Sequence, residues 1–276
     1  MKKGRELIED INACTVARGE CAFWWLGQLG LVVKLGRTVC WIDAYLAESP
    51  RRQVPPLVQP GEVTNADAIL GTHDHSDHID RKSWPGMAAA SPKALFVVPD
   101  MVREKLVKEV GLPAGRVKGL DDGKSITVGD VKITGVPAAH ELLDQDPATK
   151  RFPYLGYVLE GNGFCLYHSG DTCLYEGMHT KLRQWKLDLA LMPINGRDAK
   201  RLAANTIGNM TYQETVDLAG AVRPGFTIPG HWDMFAHNGE DPQLFADYMR
   251  VKYPGLKCLI PKHGERVIVE AGEEVR

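Results

Sequence analysis

Apolar residues in this chain come mostly in short dense runs rather than long amphipathic stripes. Cys21 to Leu26, Leu31 to Leu35 and Thr38 to Asp43 are rich in Val, Leu and Trp and are punctuated by Gly27, Gly30 and Gly36. That pattern predicts three consecutive strands in a meander, with Trp24, Trp25 and Trp41 in the core. A Pro-rich loop from Pro50 to Gly61 follows, then a short buried strand at Ala68 to Leu70 that ends at Gly71-Thr72. Leu95 to Val98 reads as a further strand. Asp100 is placed to cap a helix running to about Val110, with Val102, Leu106 and Val110 on one face and Gly111 and Pro113 as stop signals. Two hairpins are expected: Ser125 to Val128 with Val131 to Val136 around Gly129-Asp130, and Tyr154 to Leu159 with Phe164 to Tyr167 around Gly161-Asn162-Gly163. Leu187 to Met192 is another buried strand.

The last third carries two helices with clear starts. Thr211 and Glu214 form a capping box, and that helix must end before Pro224. Asp241-Pro242 supplies an N-cap and a proline at the first helical position, ahead of the stripe Leu244, Phe245, Tyr248 and Met249. Strands near Cys258 to Ile260 and Arg266 to Val269 close the chain. Many strands with a few amphipathic helices in mixed order imply an α/β (α+β) arrangement of two packed sheets with helices outside. With no repeat or Gly/Ser linker, one unit spanning residues 1–276 is the simplest organisation.

Composition narrows the function classes. The 276 residues contain 33 Lys and Arg against 35 Asp and Glu, a formal net charge of −2. Such a balance gives no general attraction to long nucleic acid or an anionic membrane. No run of 18 apolar residues exists, and the N-terminal segment lacks the apolar stretch of a secretory signal. Cysteines at 14, 21, 40, 165, 173 and 258 make no C-x-x-C pattern and are read as reduced thiols, so a cytoplasmic location is expected.

The chemistry concentrates at His73-Asp74-His75-Ser76-Asp77-His78, directly after a buried strand. Three imidazoles and a carboxylate in so short a stretch suit divalent transition metals. In an extended segment His73 and His75 project to one side and can grip one ion, while Asp77 and His78 can reach a second. Further candidate ligands stand where strands give way to loops: His140, Asp171 and His231.

The pattern His-x-His-x-Asp-His, followed by a later His, an Asp and a last His, resembles the metallo-β-lactamase superfamily over nearly the whole chain. Phe23 to Gly27, Thr72 to Asp80, Leu166 to Asp171 and the His231 segment with Asp233 look like its UlaG-like, ascorbate-6-phosphate lactonase branch. The chain departs from that branch at His231-Trp232, where a His-His pair is usual, and along Asn195 to Asn209. The resemblance implies an αββα sandwich with metals at one edge of the sheets. It implies that His73, His75 and His140 hold one ion, that Asp77, His78 and His231 hold another, and that Asp171 bridges them. At most two divalent ions per chain are expected, manganese or zinc ahead of iron, with manganese favoured by the lactonase resemblance and a homo-oligomer weakly implied.

Such a centre makes hydroxide available at neutral pH, and Asp77 is the expected catalytic residue, orienting that hydroxide or moving its proton. The expected activity is opening of a phosphorylated sugar lactone such as L-ascorbate 6-phosphate. The alternatives are a phosphodiesterase acting on a small cyclic nucleotide or RNA, and a di-iron redox protein. The expected partner is a small anionic substrate, without long nucleic acid or membrane. Asn195, Arg197 and His237 are the candidate substrate-binding residues, with Arg201 as a further cation. Asp74, Asp80 and Asp233 are candidates to orient the ligand imidazoles.

Overall fold

A computed structural model describes residues 1–272. The chain opens with α1 (Gly4–Ala13) and lays down β1 (Glu20–Gly27), β2 (Gly30–Leu35) and β3 (Thr38–Ile42) as the antiparallel meander expected from the apolar runs. β4 (Ala68–Leu70), β5 (Leu95–Pro99) and β6 (Val117–Leu120) extend the same sheet in parallel, with α2 (Trp84–Ala90) and α3 (Asp100–Val110) in the crossovers. The second sheet starts with the antiparallel β7 (Ser125–Val128), β8 (Val131–Pro137), β9 (Leu155–Gly161) and β10 (Phe164–His168). It continues in parallel through β11 (Leu189–Pro193), β12 (Phe226–Gly230) and β13 (Lys257–Cys258). Its crossovers carry α4 (Met178–Leu182), α5 (Ala199–Ala203), α6 (Tyr212–Val222) and α7 (Pro242–Lys252). Finally β14 (Arg266–Glu270) returns to the first sheet beside β1.

The layers follow from strand alternation. Along β1, Ala22, Trp24 and Leu26 pack outward against α1 and its neighbours, while Cys21, Phe23 and Trp25 pack inward against the second sheet. A strand buried on both faces reads as continuously apolar, which is why this segment shows no polar alternation. The inter-sheet layer joins Phe23, Trp25, Val33 and Ile42 to Tyr157, Leu166, Leu191 and Ile228. On the far side, Tyr167, Met192, Val216, Leu218, Phe245 and Met249 pack the second sheet against α6 and α7. The result is an αββα sandwich.

Several elements differ from the sequence expectation. The pattern leaves α1, α2, β6, α4 and α5 unassigned. In α1, Leu7, Ile8 and Ile11 are buried within an otherwise charged segment, so docking on the sheet rather than local propensity holds the helix. α2 contains Pro85 and Gly86, and Gly86 is required because an added Cβ would meet Pro60 at 2.8 Å. α4 and α5 span five residues each, too few to show a period. Asp100 does not cap α3. It is the first helical residue behind Pro99, and its carboxylate pairs with Arg151 at 2.5 Å. The strand expected at Cys258 to Ile260 is confined to Lys257–Cys258.

Strand direction decides where the chemistry lies. β1 and β3 run together in the meander, β4 runs parallel to β3, and β8, β10 and β12 share one direction in the other sheet. Their C-terminal ends deliver Gln28, Asp43, His73, His140, Asp171 and His231 to one edge of the sandwich. Loops at such ends are where ligands bind in open α/β sheets. Asp80 ties two of these loops together: it accepts hydrogen bonds from the backbone N–H groups of Leu46, Ala47, Lys82 and Ser83 at 2.7–3.2 Å while being almost fully buried. Replacing Asp80 by Ala strands the buried Leu46 and Ser83 N–H groups and is expected to cost about 2–3 kcal/mol, measured by urea unfolding of the metal-free chain. An unfolding midpoint equal to the parent's would contradict that role.

Candidate metal centre

The turn after β4 is wound so that its imidazoles converge. The His75 N–H donates to the His73 carbonyl, and the N–H groups of His78 and Ile79 donate to the His75 carbonyl. His73 Nε2 then lies 3.1 Å from His75 Nδ1, and the rings of His73 and His78 are 4.1 Å apart. From the second sheet, His140 brings its ring to 4.9 Å from that of His73 and 4.7 Å from that of His75. Asp171 reaches the middle of the group. Its Oδ1 is 3.4 Å from His78 Nε2, and its Oδ2 is 3.6 Å from His140 Nε2 and 3.2 Å from His231 Nε2. Asp77 Oδ2 lies 3.5 Å from His78 Nε2.

The seven residues singled out as ligands therefore meet in space. Three sets have donor atoms within 4.8 Å of one another: His73, His75 and His140; His73, His78 and Asp171; Asp77, His78 and His231. All but His75 and Asp77 are buried. Several of their polar atoms have no hydrogen-bond partner among the described residues: His78 Nε2, both ring nitrogens of His140, Asp171 Oδ1 and His231 Nδ1. Buried polar atoms are normally satisfied because leaving one bare costs about 1–3 kcal/mol. Bare donor atoms clustered at this spacing, on imidazoles and carboxylates, fit divalent cations.

Electrostatics agree. Burial pushes His73 well below its ordinary pKa, helped by the charge on His78. Burial likewise lowers His140, to about 4, against the opposing pull of Asp171. For His78, burial is outweighed by Asp171, Asp77 and Asp43, which raise it well above the ordinary value. His231 is raised too, burial being overcome by Asp171. Both carboxylates are depressed despite burial: Asp171 by His231 and His78, Asp77 by His78. The raised His78 and His231 thus stand against three carboxylates, those of Asp171, Asp77 and Asp43.

The sequence did not single out the groups that aim these ligands. Asp43, at the end of β3, accepts from His78 Nδ1 at 2.6 Å and from the N–H and hydroxyl of Thr72 at 2.8 and 2.7 Å. That fixes the His78 ring so that Nε2 faces the centre. Gln28, on the loop between β1 and β2, places its Nε2 2.8 Å from Asp77 Oδ2 and 2.9 Å from His231 Nε2. Gln28, Asp43 and His231 all have left-handed backbones, φ 62°, 46° and 56°, which non-glycine residues adopt rarely and mostly where function demands it. His168 bridges the sheets: Nε2 pairs with the Leu29 carbonyl at 2.8 Å, and Nδ1 accepts from the Gly170 N–H at 3.3 Å, just before Asp171. Gln28 could have been suspected from its place between Gly27 and Gly30 at a strand end; Asp43 carried no signal beyond a similar position.

The proposed orienting aspartates take other roles. Asp74 pairs with Arg81 and Lys105 on the surface, and Asp80 holds loops as described above. Asp233 accepts from Trp25 Nε1, the Gln28 N–H and His263 Nε2, so it supports the Gln28 loop rather than a ligand ring. Cys173 is buried, with its Sγ against the Gly208 carbonyl, outside the ligand sets.

A cleft of about 410 Å³ opens over the centre. His75, Asp77, His140, Asp171 and His231 form its floor, and Tyr45, Ser49, Arg51, Thr206, Phe235 and His237 are among its walls. Of the candidate substrate-binding residues, only His237 lines it. Asn195 is fully buried in an amide chain with Asn209 and Asn238. Arg197 is held bidentate by Glu214, and Arg201 by Asp198, Asn238 and the Gly239 carbonyl. Arg51, in the Pro-rich loop, is the arginine that faces the cleft. It has no ion pair among the described residues, whereas neighbouring Arg52 is tied to the carbonyls of Tyr45, Ala47 and Val54.

Residues 39–232 match the β-lactamase superfamily domain. A UPF0173 metal-dependent hydrolase of Cupriavidus taiwanensis is 30% identical over 91% of this chain and 87% of its own length. Another from Caldivirga maquilingensis is 25% identical over 87% of this chain and 95% of its own. Among solved structures, the metallo hydrolase Igni18 of Ignicoccus hospitalis matches with TM-score 0.70 at 20% identity, covering 91% of this chain and 99% of that one; this likeness concerns the fold. No helix among the described residues is long and apolar enough to cross a membrane.

Because His78 and His231 are held protonated above the ordinary imidazole range, ion binding near neutral pH must displace protons. Titration calorimetry with Zn²⁺ at pH 6.5, in two buffers of different ionisation enthalpy, should show net proton release that shrinks as pH rises past the raised values. Heats independent of buffer would contradict this charge balance.

Proposed function

The chain belongs to the β-lactamase superfamily of metal-dependent hydrolases, and from that premise we propose that it opens a small anionic lactone, a phosphorylated sugar lactone being the simplest case. The observation that carries this reading is the cleft: small, polar, floored by the ligand cluster and walled by the Arg51 guanidinium, which has no ion pair among the described residues, with His237 nearby. A phosphate or carboxylate arm fits that guanidinium, with an imidazole beside it to hydrogen-bond. The ascorbate-6-phosphate lactonase branch, suggested by the segments around Phe23–Gly27 and His73–Asp80, accords with it.

His73, His75 and His140 would hold one divalent ion, and Asp77, His78 and His231 a second, with Asp171 between them. When bound, such ions supply hydroxide at neutral pH and polarise the carbonyl under attack. The residues of the chain do the rest. Arg51 and His237 hold the anionic arm and so fix which face of the ring carbonyl meets the nucleophile. Asp77 is the ligand carboxylate most open to the cleft, its side chain 17% exposed. It accepts a hydrogen bond from the attacking hydroxide and so orients it; as the acyl–oxygen bond breaks, the proton of the newly formed acid passes to the ring oxygen, leaving a hydroxy acid as its carboxylate. Asp43 and Gln28 keep His78 and Asp77 from turning away.

The test is a panel of sugar lactones, with and without phosphate, offered to enzyme loaded with Mn²⁺ or Zn²⁺ and followed by acid release. Phosphorylated lactones should open well above the protein-free rate. Arg51→Met should raise their KM by about tenfold or more while changing kcat little, as expected for lost uniform binding. No ring opening, or faster turnover of a chromogenic phosphodiester, would overturn the reading.

A further inference from the structure

Gln28 is nearly fully buried, and its position is heavily determined. Its backbone N–H donates to Asp233 Oδ1 at 2.7 Å, its carbonyl accepts from the His231 N–H at 2.5 Å, and its φ is left-handed. This clamp sets one arm of the carboxamide 2.8 Å from Asp77 Oδ2 and 2.9 Å from His231 Nε2. The other arm, Oε1, is buried and has no hydrogen-bond partner among the described residues.

Neither orientation of the amide suits these neighbours in the absence of a cation. With nitrogen inward, the amide satisfies Asp77, but its second N–H falls on His231 Nε2, which also lies 3.2 Å from Asp171 Oδ2 and cannot accept from the amide while donating to that carboxylate, and Oε1 is left bare. With oxygen inward, the amide oxygen faces a carboxylate oxygen at under 3 Å, a repulsive contact. A cation placed among the three atoms would attract a lone pair from each of them and so offset the repulsion between the two oxygens. The spacing fits: two ligand atoms at adjacent corners of an octahedron with bonds near 2.1 Å are about 3 Å apart. The two arms of a carboxamide have nearly the same shape, so a half-turn exchanges them without moving the chain.

We propose that Gln28 is itself a metal ligand, its side-chain oxygen completing the site formed by Asp77, His78 and His231, and that this makes the two ion sites chemically unequal. The inference rests on the reading of this cluster as a two-ion centre. The first site offers three imidazoles, from His73, His75 and His140, and one oxygen of Asp171, a set suited to zinc. The second offers oxygens from Asp77, Asp171 and Gln28 with imidazoles from His78 and His231. An oxygen-rich set of five suits a harder, six-coordinate ion such as Mn²⁺.

The test reads metal binding without substrate. The full-length chain, stripped of metal, is titrated with Zn²⁺ and with Mn²⁺ separately, against a chromophoric chelator and by the paramagnetic signal of free Mn²⁺. The parent should take two ions, and Mn²⁺ should enter the Gln28 site first. Gln28→Met, similar in volume but without a hard donor, should weaken the second ion by about 10-fold to 100-fold, the range expected for disturbing a site's ligand shell, while the first stays. Gln28→Glu, which restores an oxygen, should recover it. Unchanged binding of both ions by Gln28→Met would overturn the proposal. So would loss of both ions in Gln28→Met and Gln28→Glu alike, which would make the amide only a prop for the loop. A parent chain that binds no second ion would instead overturn the two-ion reading beneath it. Failure of every lactone assay would leave these titrations unaffected.

Discussion

A carboxylate buried among imidazoles sets the terms for this molecule. Asp171 lies within 3.2–3.6 Å of ring nitrogens from His78, His140 and His231, which arrive from three separate stretches of chain. In the poorly polarisable interior, these groups cannot be left as independent charges. The carboxylates of Asp171, Asp77 and Asp43 raise the pKa of His78, and Asp171 and Asp77 that of His231, yet several donor atoms remain without a partner among the described residues. The arrangement makes sense as a cage of nitrogen and oxygen donors at a spacing that suits divalent cations. The loops around it exist to keep the cage from collapsing into ordinary hydrogen bonds.

The fold supplies the rigidity for this. Strands packed on both faces end at the same edge and carry the ligands on their first loop residues, so a ligand atom inherits the precision of the sheet. Side-chain bonds then link the sheets across that edge. His168 in β10 grips the Leu29 carbonyl, and Asp233 after β12 grips the Gln28 N–H. The left-handed backbones of Gln28, Asp43 and His231 are the conformational cost of turning three strand ends sharply inward, a cost of order 1–3 kcal/mol each that dense packing sustains. The same logic separates the arginines. Arg52, Arg197 and Arg201 are held by structural partners, whereas Arg51 faces the cleft with no ion pair among the described residues.

Much of this was legible in the sequence. The strands of the meander, both hairpins and the capped helices α6 and α7 announce themselves by apolar runs, turn residues and caps. The ligand residues stood out because imidazoles and carboxylates repeat at short spacing in 73–78 and recur at strand ends. What stayed hidden depends on tertiary contact. α1 and α2 are helices because of what they pack on. Asp43 and Gln28 look like ordinary polar residues until the topology sets them beside His78 and Asp77. Arg197 looked available because no local pattern reveals that Glu214, seventeen positions on, would claim it. Arg51 was overlooked in a Pro-rich loop without periodicity, since a free cation is recognised only once the paired ones are known.

Loops at the strand ends therefore divide the work: those bearing His and Asp build the centre, and those bearing Arg51, Thr206 and His237 shape what can approach it. The account stands on the centre. Its most direct test is anomalous diffraction from crystals grown with Zn²⁺ or Mn²⁺, recorded on both sides of the metal absorption edge. The account predicts two peaks about 3.5–4 Å apart, one among His73, His75 and His140, the other among Asp77, His78 and His231, with Asp171 between them. Imidazoles and carboxylates hydrogen-bonded to one another, with no anomalous peak in their midst at saturating metal, would contradict it.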